Sequence, residues 1–257
     1  MDANRAALAT VGSRFAHMLR MVPDPTRPSV GFWSVGETAA HVASSASFFL
    51  AVARGEKEPE RLDEVAADNA AFLASDPERD LRTLAERFEA GERALLAHVD
   101  RIDGDPPLEL FEGVEVPLST LLAVELAEVI VHGFDIARAS GLTWRITRAE
   151  AAPAASGMLP LLPHAVDREA AAGRRARFEL RIRGGSSATL EFAGGTLRLS
   201  PPIPQAVDCR ISADPMVYLL LSFGRIGPLR PMVQGKLTAW GRRPWLAASF
   251  PSLFQSV

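Results

Sequence analysis

Between Leu121 and Ala139 an apolar run, LLAVELAEVIVHGFDIARA, carries four side chains of kinds that bind metals or move protons: Glu125, Glu128, His132 and Asp135. At about 3.6 residues per turn, Glu128 and His132 project side by side from one helical face. A carboxylate and an imidazole presented together are two metal ligands. A catalytic zinc takes three protein ligands and leaves a fourth position for water or substrate. The same stripe facing water would make the segment an ordinary amphipathic surface helix. Surface stripes favour Lys, Arg and Gln, however, and this one offers carboxylates and an imidazole among Leu122, Leu126, Val129, Ile130 and Phe134.

A third ligand has to come from another element. Trp33 precedes Ser34-Val35-Gly36-Glu37, a Ser-x-x-Glu capping box whose side chains satisfy the free amides at a helix start. The helix it opens runs to about Arg54 and carries His41 among Thr38, Ala40, Ser44 and Ser45, small residues that leave room for an imidazole and a neighbouring helix. His41, Glu128 and His132 then form a three-ligand set, provided His41 faces the other two. A lone helical histidine is otherwise structural. Glu125 and Asp135 are candidates to orient an imidazole from behind, as metal-bound histidines require; the alternative is that they pair with Arg138 or Arg20. His17, on the first helix, and His164, boxed between Pro163 and Ala165, read as structural, and His98 at a helix end favours the local dipole as a cation.

These segments belong to a helical first half. Periodicity predicts helices from Asp2 to about Val22, from Ser34 to about Arg54, a lesser one from Arg61 to Ala74, then Glu78 to about Ile102 and the Leu121 segment, which closes at Ser140-Gly141. Prolines at 23, 25 and 28 make the first connection a loop, Leu108 to Val116 reads as extended, and Pro117 suits a first helical turn. Four long helices with short connections are the pattern of an antiparallel bundle, in which metal sites face inward.

After Thr147 the pattern changes. Arg148 to Ala165 reads as a linking helix interrupted by Pro153, Pro160 and Pro163. Alternating strands follow at Arg177–Ile182, Ala188–Phe192, Thr196–Leu199 and Val207–Ile211, with Gly184-Gly185 and Gly194-Gly195 as turns. A helix from Asp214 to Phe223, a last strand at Gly235–Trp240 and a closing helix from Pro244 to about Phe254 complete an antiparallel sheet with helices on one side. The expectation is an α+β, two-domain protein divided at 1–146 and 147–257.

Totals narrow the function. The 257 residues are 47% hydrophobic and 23% charged, with net charge −3, so no basic face for nucleic acid is indicated. The first ten residues, MDANRAALAT, do not read as a signal peptide and no run spans a bilayer. The one cysteine, Cys209, sits in strand-like alternation and reads as a structural thiol in a reducing cytoplasm. Only Lys57 and Lys236 are lysines among 28 basic residues, a bias associated with GC-rich genomes. There is no phosphate-cradling glycine loop, nucleophile elbow or Cys-His pair.

Trp33-Ser34-Val35-Gly36-Glu37-Thr38-Ala39-Ala40-His41 and Glu128-Val129-Ile130-Val131-His132-Gly133-Phe134-Asp135-Ile136-Ala137-Arg138-Ala139 resemble the two signature segments of the mycothiol-dependent maleylpyruvate isomerase family. Gly224-Arg225 and Gly235-Lys236-Leu237-Thr238-Ala239-Trp240-Gly241-Arg242-Arg243-Pro244 resemble its second domain, which is related to sterol-carrier-protein folds. The resemblance spans nearly the whole chain. It implies a DinB-like four-helix bundle, a zinc ion on His41, Glu128 and His132, and mycothiol, the low-molecular-weight thiol of actinobacteria, as cofactor. A thiol given to zinc loses its proton near neutral pH. It is then a nucleophile for a small electrophile, either isomerising an unsaturated keto-acid or displacing a leaving group as an S-transferase. A non-enzymatic metal- or ligand-binding protein is the reading from another class. Substrate carboxylates point to Arg225, Lys236, Arg242 and Arg243, with Arg242 first, and Trp33, Trp240 and Trp245 are candidate pocket walls.

Overall fold

In the computed structural model, which describes residues 1–202 and 207–255, the chain divides into two compact units, Met1–Ile146 and Thr147–Val257. The first unit contains five helices: α1 (Asp2–Met21), α2 (Val35–Ala53), α3 (Val65–Ser75), α4 (Leu81–Val99) and α5 (Leu118–Ser140). The four long ones form a ring in which α1 and α2 each pack on both α4 and α5, so α1 faces α2 and α4 faces α5 across the interior. Leu8, Phe15, Leu84, Phe88, Leu95 and Leu121 are fully buried there, and Phe15 meets Phe88 edge to face at 5.1 Å.

Local chemistry sets the helix ends. Ser34 accepts from the Glu37 amide at 3.2 Å while Glu37 accepts from the Ser34 amide at 2.7 Å, so the capping box opens α2. The remaining free amides of that turn are used too: Val35 donates to Arg27 O at 2.8 Å and Gly36 to Pro25 O at 2.7 Å. Asp80 caps α4, which starts three residues later than expected. Gly141, at φ 69°, ends α5 in the left-handed conformation that glycine adopts without a Cβ clash.

Two connections differ from expectation. The proline stretch holds a short antiparallel hairpin, β1 (Pro28–Val30) and β2 (Trp33–Ser34), with Phe32 fully exposed at its tip. The extended segment before α5 is a hairpin, β3 (Pro107–Phe111) with β4 (Val114–Pro117), and Pro117 ends β4 and precedes α5 instead of forming its first turn.

The second unit opens with α6 (Arg148–Gly157), capped by a second box between Thr147 and Glu150, and a short turn of 3-10 helix at Leu159–Leu161. After α7 (Arg168–Ala171) come β5 (Ala176–Ile182), β6 (Ser187–Ala193), β7 (Thr196–Ser200) and β8 (Cys209–Ala213). Next are α8 (Pro215–Ser222), α9 (Leu229–Val233) and β9 (Leu237–Trp240). The sheet order is β7-β6-β5-β8-β9, with Phe178 and Phe192 in its buried face. Its pairs are antiparallel except β5 with β8, which run parallel, because the chain reaches β8 only after passing through the β6–β7 hairpin. The expected closing helix is two pieces of 3-10 helix, Pro244–Ser249 and Pro251–Leu253. Each begins at a proline that cannot donate a helical hydrogen bond. No described helix is long and apolar enough to cross a membrane.

Candidate metal centre

The bundle brings His41 on α2 to Glu128, 87 positions away, and to His132 one turn further along α5. His41 Nε2 lies 3.0 Å from Glu128 Oε2, and His132 Nε2 lies 3.2 Å from the same oxygen. One ligand atom from each residue falls within 4.8 Å of the others, the only such histidine, cysteine or carboxylate group among the described residues. Their side chains are 11%, 17% and 8% exposed, so the cluster is shielded yet reachable.

Two imidazoles converging on one carboxylate oxygen is an arrangement a cation completes. The fit also holds one step behind the ligands: His132 Nδ1 is 3.3 Å from Asp135 Oδ2, an ion-pair contact without the alignment of a full hydrogen bond. With a metal on Nε2, a carboxylate placed there would hold the remaining proton on Nδ1. Asp135 is wholly buried. Burial opposes a charge on His132, but Asp135 and Glu128 outweigh it and raise its pKa to about 9. Burial likewise opposes ionisation of Glu128, and the two histidines overcome it, holding the carboxyl far below its ordinary range.

Glu125, one turn earlier, behaves differently. It is wholly buried with neither oxygen hydrogen-bonded, and burial pushes its pKa well above the usual carboxylate range. It therefore does not share Asp135's part. Arg20 is occupied by Glu89, with two hydrogen bonds of 2.8 Å, and Arg138 lies over the Phe134 ring.

Trp33 supplies a wall that the sequence offered only as a general pocket candidate. Its ring is 5.1 Å from that of His41 and 6.1 Å from that of His132. The signal was its place immediately before the capping box, which ties the ring to the helix that carries His41. His17 and His164 are exposed, and His98 is half-buried at the end of α4, all outside the cluster.

The candidate arginines lie in the second unit. Arg242 donates to Asp208 Oδ1 at 2.6 Å and Arg243 sits 3.9 Å from the same oxygen, while Arg225 donates to Phe223 O at 2.6 Å. Trp240 lies under the Arg181 guanidinium and Trp245 is 66% exposed. Cys209 is buried at the start of β8, where burial pushes its thiol pKa up and favours the uncharged thiol.

Comparison with known proteins agrees with this architecture. Residues 5–137 match the family described as Mycothiol maleylpyruvate isomerase N-terminal domain, and residues 161–242 match the SCP-2 sterol transfer family. The fold is similar to the crystal structure of a mycothiol-dependent maleylpyruvate isomerase, at 14% identity and a TM-score of 0.54, with 93% of this chain and 92% of that one covered. A histidine-to-alanine mutant of the same isomerase superposes at a TM-score of 0.57 with the same identity and coverage. No curated protein matches the chain.

Proposed function

This chain belongs to the mycothiol maleylpyruvate isomerase family, and on that premise we propose that it is a zinc-dependent, mycothiol-using isomerase acting on a small unsaturated keto-acid such as maleylpyruvate. The observation that carries the reading is the convergence of His41, Glu128 and His132 within 4.8 Å, in the half-shielded interior of the bundle. Nε2 of His41, Oε2 of Glu128 and Nε2 of His132 would hold the zinc. When bound there, zinc would keep the mycothiol sulfur as thiolate at neutral pH, ready for reversible addition to a cis double bond, so that rotation and elimination give the trans product.

The chain's own residues prepare that chemistry. Asp135 retains the Nδ1 proton of His132 and aims the ring, acting through the ligand as a positioning residue. Glu128 brings a full negative charge, which reduces the net charge of the occupied site and keeps a bound thiolate able to leave. Trp33 closes one side against water and presents an apolar face to a planar conjugated substrate. Arg225, Arg242 and Arg243 are proposed to receive carboxylates of substrate or cofactor. Arg242, whose side chain is 71% exposed, would exchange Asp208 for the incoming anion.

Metal analysis of the purified protein, joined to turnover of maleylpyruvate with and without mycothiol, tests this reading. The expected result is one zinc per chain and thiol-dependent isomerisation, both lost in His132→Ala. Thiol consumption with a stable thioether product would instead make the protein an S-transferase. A metal-free His132→Ala variant with full activity would overturn the zinc assignment.

A further inference from the structure

The turn at α9 combines exposed aliphatic and basic side chains. The sequence from Pro215 to Val257 has five basic residues and no acidic one, although Arg242 and Arg243 face Asp208, just before β8. Within this stretch Leu229 is 78% exposed, Val233 90% and Met232 49%. Arg230 and Lys236 are exposed beside them, and neither has an ion-pair partner among the described residues.

The turn is built to hold that arrangement outward. Pro231 is its one buried residue and anchors it inward. Gly235, at φ 66°, lets the chain reverse so that its amide reaches Met232 O at 3.0 Å and the Lys236 amide reaches Pro231 O at 2.9 Å. The turn leads into β9, an edge strand of the sheet, whose last residue, Trp240, is exposed, as is Trp245 after it.

We propose that the Leu229–Lys236 turn docks this protein on an anionic lipid surface. Leu229, Met232 and Val233 enter the boundary between headgroups and acyl chains. Arg230 and Lys236 meet lipid phosphates, their stems lying along the apolar side chains. Charge selects the occupant. A second copy of the chain would bring the unpaired Arg230 and Lys236 against their own counterparts, whereas an anionic bilayer neutralises them. Shape points the same way, because the aliphatic side chains protrude singly from a tight turn. A soft partner accommodates such knobs, and exposed tryptophans nearby suit the interfacial zone. This inference is independent of the zinc reading, since the residues that would dock, Leu229, Arg230, Met232, Val233 and Lys236, include none of the proposed zinc ligands.

The test is co-sedimentation of the full-length protein with phosphatidylcholine vesicles, with and without phosphatidylglycerol. Binding is expected only to the phosphatidylglycerol-containing vesicles and is expected to weaken in about 0.5 M salt, where screening shortens to a few ångströms. Leu229→Ser/Val233→Ser and, separately, Arg230→Glu should each weaken it about tenfold, with thermal melting and any turnover of soluble substrates unchanged. Several results would overturn the proposal. They are no vesicle binding by the parent protein, binding by both variants as tight as the parent's, and capture by soluble polyglutamate as tight as by vesicles. A concentration-dependent dimer that Leu229→Ser/Val233→Ser dissolves would also overturn it, assigning the turn to self-association.

Discussion

A Cβ built on Gly12 would fall 1.9 Å from Oε1 of Glu92, so the glycine on α1 is what gives the Glu92 carboxyl its room inside the bundle. Glu92 is 6% exposed and its Oε1 has no hydrogen-bond partner. Burial, reinforced by the charge of Glu89 and opposed by Arg93, raises its pKa from 4.5 to about 8. The unfolded chain releases this proton near the ordinary value, while the folded chain keeps it. The destabilising contribution is therefore absent below about pH 4.5, grows as pH rises, and is complete above about 8.

Glu92→Gln should accordingly stabilise the protein at pH 7.5 by about 1 to 3 kcal/mol and leave it nearly unchanged at pH 4.5. Urea unfolding at the two pH values measures the gap. A gap of the same size at both would show that Glu92 does not titrate in this range.

The second close approach lies beside the candidate metal centre. A Cβ on Gly133 would fall 2.4 Å from Cζ2 of Trp144, whose Nε1 donates to Ile130 O at 2.9 Å and pins the indole against α5. Gly133→Ala should force the ring or the helix aside. A loss of about 1 to 3 kcal/mol is expected, together with weaker metal retention through the adjoining His132. Thermal melting and metal content after dialysis check both, and a variant that melts like the parent would show that the indole yields freely.

What the sequence made legible follows from range. The capping box at Ser34–Glu37 and the Glu128–His132 spacing are local patterns, and both elements formed where the residue types placed them. The division of the polar stripe was not readable, because periodicity puts Glu125 and Asp135 on the same face as the ligands. Only packing shows that Asp135 reaches His132 while Glu125 is buried without a hydrogen bond. The β1–β2 hairpin was hidden by its prolines, and nothing in the alternation of β5 and β8 specifies that they run parallel. Asp208 took Arg242 across 34 positions, a pairing no local pattern signals.

Trp33 offers a readout of the centre that does not depend on catalysis. Its ring stands 5.1 Å from His41, and the next tryptophan in the same unit, Trp144, packs on Gly133 beside His132. Titrating metal-stripped protein with Co²⁺ should quench part of the tryptophan emission, and Trp33→Phe should remove most of that change while still binding metal. Quenching that survives both Trp33→Phe and Trp144→Phe undiminished would place the bound ion elsewhere.

Asp135→Asn keeps the shape behind His132 but removes the charge that faces Nδ1 at 3.3 Å. Two shifts in the same direction of cause are expected. Metal affinity should fall by about 10- to 100-fold, as for other partners that orient a ligating imidazole. In metal-free protein the pKa of His132 should drop from about 9, since Asp135 and Glu128 together hold it there against burial. Competition with a chelator measures the first and the histidine ring signals in an NMR titration measure the second. Unchanged affinity with a lowered pKa would mean that Asp135 acts on the proton alone and not on the geometry of the ligand.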